Sequence, residues 1–225
     1  MDLLCLKKFN SVTDFNNFTQ ELSAINWKIE KQLLSERMIY HSNNKVFKEL
    51  KNLYLNKKLS IFVLKDEEVI TWLDTLIIVR RIFSHMFEIG LLRSDLIILM
   101  EYPLLFGNYM RTDYVIVFQN LIITIEFGMF NQDEKRKEER YTKKVQESIG
   151  HKHVLSQMLS KRTTVSSYVM IYKPEYNRHS KYIIKENIEY NNQEIKKIAR
   201  FIDIRLKDEE DQAVIKQLEN LEKLR

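Results

Sequence analysis

The sequence predicts an α/β fold: a mixed four-stranded sheet flanked by helices in the order αβββαβ, with helical extensions at both ends. Three observations carry this. Gly 4 and Pro 2 are very low counts for 225 residues, which disfavours turn-dense all-β architectures and favours long helices around a few strands. Apolar residues recur at three and four as far as Gly90, and then give way to short runs rich in Val, Ile, Phe and Tyr. Only Gln119 and Asn120 separate two of those runs, so a hairpin closed by a tight two-residue turn is the simplest connection.

Residues 11–58 read as helical. Phe15, Phe18, Leu22, Ile25 and Ile29 share one period, and Val46, Leu50, Leu53 and Tyr54 continue it, with Asp14 as N-cap and His41-Ser-Asn-Asn44 as a break. Leu59 to Leu64 suggests a short strand. Asp66-Glu-Glu then opens a helix through Trp72, Leu76, Val79, Phe83 and Phe87 that closes at Gly90 and is apolar enough to be buried. A first strand falls within residues 95–106, Gly107-Asn108 turns, and the two hairpin strands follow. Residues 133–159 are helical in composition, and Ser166 to Tyr172 form a fourth strand ended by Pro174. Two more helices are expected from about Asn187 onward, one through Ile195, Ile198, Ile202 and Leu206 and one through Val214, Leu218 and Leu221, split around Lys207-Asp-Glu-Glu-Asp211. The expected division is a helical N-terminal region (1–70), a core (71–178) and a C-terminal helical extension (179–225), with no Pro/Gly/Ser linker to sharpen the boundaries.

Hydrophobic residues at 44% and charged residues at 30% give a globular balance. Lys+Arg 36 minus Asp+Glu 31 leaves +5, compatible with a polyanion partner without requiring one. Cys5 is the only cysteine, so an intramolecular disulfide and a multi-Cys metal site are both excluded, and a reducing, cytoplasmic setting is expected. The apolar runs near Leu76–Val79 and Leu96–Met100 are too short for a membrane span. No Gly-rich phosphate loop, nucleophile elbow or zinc-ligand spacing is present, which argues against ATP hydrolysis, serine-hydrolase chemistry and zinc-finger binding.

The hairpin carries an acid on each strand. Counting back from the turn pairs Phe118 with Leu121, Asp113 with Glu126, and Arg111 with Gly128. Directly opposed side chains lie roughly 4.5–5.5 Å apart at Cβ, and like charges there are destabilising. A cation between the two carboxylates removes that penalty, and an all-oxygen pair suits Mg²⁺ or Mn²⁺. As the bland alternative, both acids sit on a solvated hairpin face and pair with Arg111. The apolar neighbours Val115, Val117 and Ile122 on that face argue against it.

The order αβββαβ with Asp113-Tyr-Val-Ile116 on the second strand and Glu126 on the third resembles the core of the PD-(D/E)XK nuclease superfamily, in its RecB-like branch. Glu101-Tyr-Pro-Leu104 stands where that family has an acid near the first strand, and Lys143-Lys-Val-Gln146 resembles the Lys-x-x-Gln of its following helix, with His151 where an aromatic is usual. The resemblance spans about residues 75–175 and implies a restriction-endonuclease-like fold. It implies one or two Mg²⁺ or Mn²⁺ ions on Asp113, Glu126 and Glu101 with the Phe127 carbonyl, and phosphodiester hydrolysis in DNA ahead of RNA. A helicase or other protein subunit is a partner by analogy. The departure is Glu126-Phe-Gly128, since the family's lysine would fall at Gly128. Arg111 and Lys143, with Gln146 on the same helical face, are the candidate replacements; without one the domain is a catalytically degenerate subunit that binds nucleic acid or a protein.

Residues 135–162 hold nine Lys/Arg against three acids. Lys135, Arg136, Lys137, Arg140 and Lys144 are therefore candidate phosphate contacts, with an ordinary solvated helix face as the alternative. Tyr141, Val145 and Ile149, four apart, are expected to pack on the sheet. His151 and His153 lie two apart and cannot form a metal pair on one helical face. A third reading makes the chain a helical interaction module whose strands only brace the core.

Overall fold

The computed structural model describes residues 5–57, 64–91, 95–104, 111–130 and 134–211, the side chains of 134–137 and 211 excepted. A short strand β1 (Lys7–Phe9) is followed by helices α1 (Val12–Ala24), α2 (Leu34–His41), α3 (Lys45–Lys57) and α4 (Asp66–Glu88). Strands β2 (Ile97–Pro103), β3 (Arg111–Phe118) and β4 (Leu121–Met129) come next, then helix α5 (Glu134–Met158), strand β5 (Thr164–Tyr172), a small hairpin β6 (Tyr176–Asn177) and β7 (Tyr182–Ile183), and helix α6 (Lys185–Asp211).

The protein is α/β, with a mixed five-stranded sheet in the order β1-β2-β3-β4-β5 among the described residues. The first four strands are antiparallel in sequence, and β5 runs parallel to β4. A parallel neighbour needs a crossover of a dozen or more residues, and α5 supplies it. The hairpin register is the expected one from Phe118↔Leu121 to Tyr114↔Ile125. Gln119 takes the left-handed conformation (φ 49°) that the tight turn requires.

Alternation along the strands divides the sheet into two faces. Tyr114, Ile116, Phe118, Ile123, Ile125 and Phe127 join one large core with α4 and α6. The opposite face is covered by α5, whose Leu155 packs with Val165 and Ile122. Asp113 and Glu126 have the parity of this second face and so look toward α5.

Helix α4 explains why the core holds together. Asp66, Glu67 and Glu68 occupy its first turn, where negative charge is favoured, and Val69, Leu73, Leu76 and Phe83 are buried along it. Gly90 (φ 72°) ends it, with Leu91 N–H bonding Met86 O at 2.8 Å and Gly90 N–H bonding Phe87 O at 3.0 Å, a Schellman closure. Truncating Phe83 to alanine would cost about 3–5 kcal/mol.

The sheet has a fifth strand that was not expected: Lys7–Phe9 pairs with β2 instead of joining the N-terminal helices. Three residues are too few for a readable alternation, so the strand left no pattern. Ser11, not Asp14, caps α1, accepting the Asp14 N–H at 3.0 Å, while Asp14 takes the Asn10 N–H. α6 stays helical through Lys207–Asp211, where the sequence suggests a split, and the residues after Asp211 lie outside the described ones. Lys207 pairs with Asp203 and Arg205 with Asp208 along the helix, so charges that resemble a linker act as a solvated face. One hydrophobic cluster draws Leu6 and Phe15, Ile116 and Phe127, and Ile198 and Ile202 from all three stretches of the chain. The expected strand over 59–63, the turn at Gly107-Asn108 and the helix through Val214–Leu224 lie outside the described residues. No described helix is long and apolar enough to cross a membrane.

Candidate functional site

Three carboxylates meet where β2, β3 and β4 pass beneath α5. Glu126 is buried and Asp113 half-buried. Glu101 is also buried and sits in β2 with φ 51°, a left-handed conformation that costs a non-glycine residue about 1–2 kcal/mol. Its neighbours pair regularly, Met100 with Tyr114 and Tyr102 with Thr112, so the distortion is confined to the residue facing Asp113. Such local strain clusters at functional sites.

Each acid has a defined partner. Asp113 Oδ2 accepts the Phe127 N–H at 2.7 Å. Glu126 Oε1 lies 2.7 Å from His151 Nδ1, and its Oε2 3.5 Å from Lys144 Nζ. The Lys144 ammonium also reaches Asp113 Oδ2 at 4.0 Å and Glu147 Oε2 at 3.3 Å. It therefore stands between the two acids of the hairpin. Burial and the nearby Glu126 carboxylate push Asp113 up to about 6, against the pull of Lys144, the Phe127 N–H and Arg111. Burial raises Glu101 to about 8, helped by Asp113 and Glu126 and opposed by Arg111. Burial alone would lower Lys144, but Asp113, Glu126 and Glu147 outweigh it and hold the ammonium charged.

Several expected roles move. Arg111 does not face Gly128; it pairs with Pro103 on β2, and its guanidinium bonds Glu68 at 2.9 Å and approaches Glu101 Oε2 at 2.6 Å. The hairpin ladder ends at Tyr114↔Ile125, three residues short of Arg111 and one short of Asp113, so neither counted pair lies within it. Lys143 and Gln146 are exposed, and Lys143 only nears Glu147 at 4.0 Å. The buried stripe of α5 is instead Lys144, Ser148, His151 and Leu155, at spacings of four, three and four. Phe127 contributes its N–H, with its ring in the core against Tyr114 and Tyr172. Arg140 is exposed, Lys144 is drawn into the site, and the side chains of Lys135, Arg136 and Lys137 lie outside the described residues. Tyr141 and Ile149 are exposed at 50% and 60%, so they do not pack on the sheet as expected.

Gly128 is filled from β5 and from the helix side. A Cβ built there would meet Ile171 Cδ1 at 2.6 Å, Arg140 Nε at 3.3 Å and Lys144 Cγ at 3.8 Å. The space that a strand-borne side chain would use is occupied first by Ile171 of β5 and then by two cationic side chains of α5. From sequence, His151 is only a stand-in for an aromatic and a poor metal partner for His153; the 144-148-151-155 stripe is the signal that could have found its place beside Glu126.

Among the described residues no group of three or more His, Cys, Asp or Glu side chains is arranged to hold a metal ion. The chemistry of the donor set nevertheless fits a hard divalent cation. Buried Glu101 Oε2 has no hydrogen-bond donor despite the nearby Arg111, burial and neighbouring carboxylates push Glu101 and Asp113 toward the neutral form, and a cation already sits between Asp113 and Glu126. No family model matches this chain, and no curated protein or solved structure matches it.

Proposed function

We propose that this protein is a metal-dependent nuclease of the PD-(D/E)XK kind that hydrolyses phosphodiester bonds in DNA, with Lys144 of α5 taking the role of the strand lysine that Gly128 lacks. The single observation that carries the reading is the Lys144 ammonium lodged between Asp113 and Glu126, on the helix packed over Gly128. Asp113 and Glu126, with Glu101, would hold Mg²⁺ or Mn²⁺. When bound, such an ion lowers the pKa of a water and offsets charge on the scissile phosphate. The chain's own residues do the rest. Phe127 N–H and His151 each fix one carboxylate oxygen, so the remaining oxygens are aimed without reorganisation. Lys144 stays protonated beside three acids and serves as a fixed charge toward the phosphate, not as a base. Arg111 is committed to Glu68 and Glu101 and positions the latter.

The test is Mg²⁺- or Mn²⁺-dependent cleavage of linear, nicked and single-stranded DNA. Wild type should cut, and Asp113→Asn, Glu126→Gln and Lys144→Ala should each lose about 10²–10³-fold or more; equal activity in the variants sinks the assignment. One observation favours a second reading. Glu126 is already saturated by Lys144 and His151, as in a degenerate domain that binds nucleic acid or a protein partner without turnover. That reading expects salt-dependent DNA binding and no shift in Tm with Mn²⁺.

A further inference from the structure

The side of α5 turned away from the carboxylates walls a groove of about 790 Å³ over β5, closed on its other side by α6. β5 is the last strand of the sheet and has only β4 beside it among the described residues. Edge strands present a row of unpaired N–H and C=O groups, and natural proteins blunt them with charges, Pro, bulges or short length. β5 has none of these: Thr-Val-Ser-Ser-Tyr-Val-Met-Ile-Tyr is nine residues long, without a charge or a proline. Ser167, Tyr168 and Val169 at its centre are only half-buried.

The walls are built to receive something. Tyr141, Val145 and Ile149 of α5 face Tyr190 of α6 across the strand, and Ile149 is left 60% exposed. Ser148 lines the same groove, is 3% exposed, and has an Oγ without any hydrogen-bond partner. A buried orphan hydroxyl costs about 1–3 kcal/mol until it finds a partner. The charged groups on the lips are Glu138, Glu194 and Lys197, and Lys197 is spent on Glu194 at 2.7 Å. The residual charge is negative.

We propose that β5 captures an extended peptide of alternating apolar and basic residues, which adds to the sheet as a sixth strand. Backbone pairing with β5 supplies affinity, and the groove walls read alternate side chains. Two other occupants fit less well. A nucleic acid strand would bring phosphates to Glu138 and Glu194. A second copy pairing through its own β5 would bring its Glu138 and Glu194 to lips that carry the same negative charge. The proposal does not depend on the nuclease reading: Val169 is the ladder neighbour of Glu126, but the lip residues Glu138 and Glu194 lie on α5 and α6 and are no part of the carboxylate cluster.

Panning a phage-displayed library of random dodecapeptides on the full chain tests it. The expected result is enrichment of sequences alternating Val, Ile or Tyr with Lys or Arg, whose synthetic forms slow hydrogen exchange at the amides of 167–169. Their affinity should fall at least tenfold in Val169→Lys and in Glu138→Lys/Glu194→Lys, with DNA cleavage unchanged in the double variant. The double variant alters only the lips and keeps the test valid if Val169→Lys fails to fold. Lack of enrichment, or enriched peptides that bind both variants as well as wild type, overturns the proposal. Binding of a dT12 oligonucleotide that Val169→Lys abolishes, or a dimer in sedimentation that the same change dissolves, overturns it in favour of the other occupants.

Discussion

Two buried clusters of charge lie in this protein, and they are built on opposite plans. In the first, Arg37 of α2 is fully buried and forks onto Asp74 of α4 at 2.6 and 2.7 Å, while Trp27 Nε1–H donates to the same carboxylate at 2.9 Å. Glu30 beside it receives Arg178 at 2.7 Å and nears His41 at 3.6 Å. Burial would raise Glu30, but His41 and Arg178 outweigh it and hold it down at about 2. In the second cluster, Glu101, Asp113 and Glu126 crowd together, and burial with mutual repulsion drives two of them up to about 8 and about 6. The first cluster gives every acid a guanidinium; in the second Glu101 has Arg111, while Asp113 and Glu126 share the single Lys144 ammonium. The comparison teaches that burial of charge is not itself a mark of function: the sign of the pKa shift separates a structural tie from a site strained toward a ligand.

Arg37→Met tests the first half of this contrast with the largest expected effect. It leaves Asp74 buried and uncompensated, so urea unfolding should show a loss of about 3–5 kcal/mol. A loss under about 1 kcal/mol would place this cluster among replaceable ion pairs.

The pH dependence of stability divides the clusters next. Glu30 is depressed, so its contribution is present above its unfolded value of 4.5 and is lost as pH falls toward about 2. Asp113 and Glu101 are raised, so theirs is present below their unfolded values of 3.8 and 4.5 and is lost as pH rises through about 6 and about 8. Metal-free protein should therefore lose Tm between pH 5 and pH 8, and Glu101→Gln/Asp113→Asn should flatten that decline. An unchanged slope in the double variant would refute the assignment of strain to these two acids.

Gly128→Ala is a smaller perturbation. The new Cβ lies 2.6 Å from Ile171 Cδ1 and 3.3 Å from Arg140 Nε, both near the far ends of side chains that can shift, so about 1–3 kcal/mol is expected by denaturation. The smallest effect has the opposite sign. Asp113→Asn keeps an oxygen for the Phe127 N–H and removes a strained charge, so at pH 8 without metal it should gain about 1 kcal/mol, roughly 2–4 °C in Tm, while losing activity. Loss of stability and activity together would make Asp113 a structural residue.

The sheet was legible because its signals are local: a two-residue turn fixes the register from Phe118↔Leu121 to Tyr114↔Ile125, one step short of Asp113 and Glu126, and the alternation around Val115 and Ile122 tells which face those acids share. β1 was not, since three residues in a strand carry no period, and its pairing with β2 is a contact across about ninety residues of chain. The acids of the site could be named from the hairpin, but their partners could not. Which of Lys143 and Lys144 turns inward depends on the rotation of α5 about its axis, and that rotation is set by Leu155 against Val165 and Ile122. Arg111 was placed by extending the β3–β4 ladder beyond Tyr114↔Ile125, where it ends. Rigid counting fails where the backbone departs from regularity.

The exchange of a strand position for a helix position at Gly128 changes more than the identity of the cation. A side chain on a central strand is clamped by ladders on both sides, whereas Lys144 is carried by a helix held on the sheet by side-chain packing such as Leu155 against Val165 and Ile122. The position of the charge beside Asp113 and Glu126 thereby depends on core residues far from it along the chain, and repacking at Leu155 reaches the two acids through the helix.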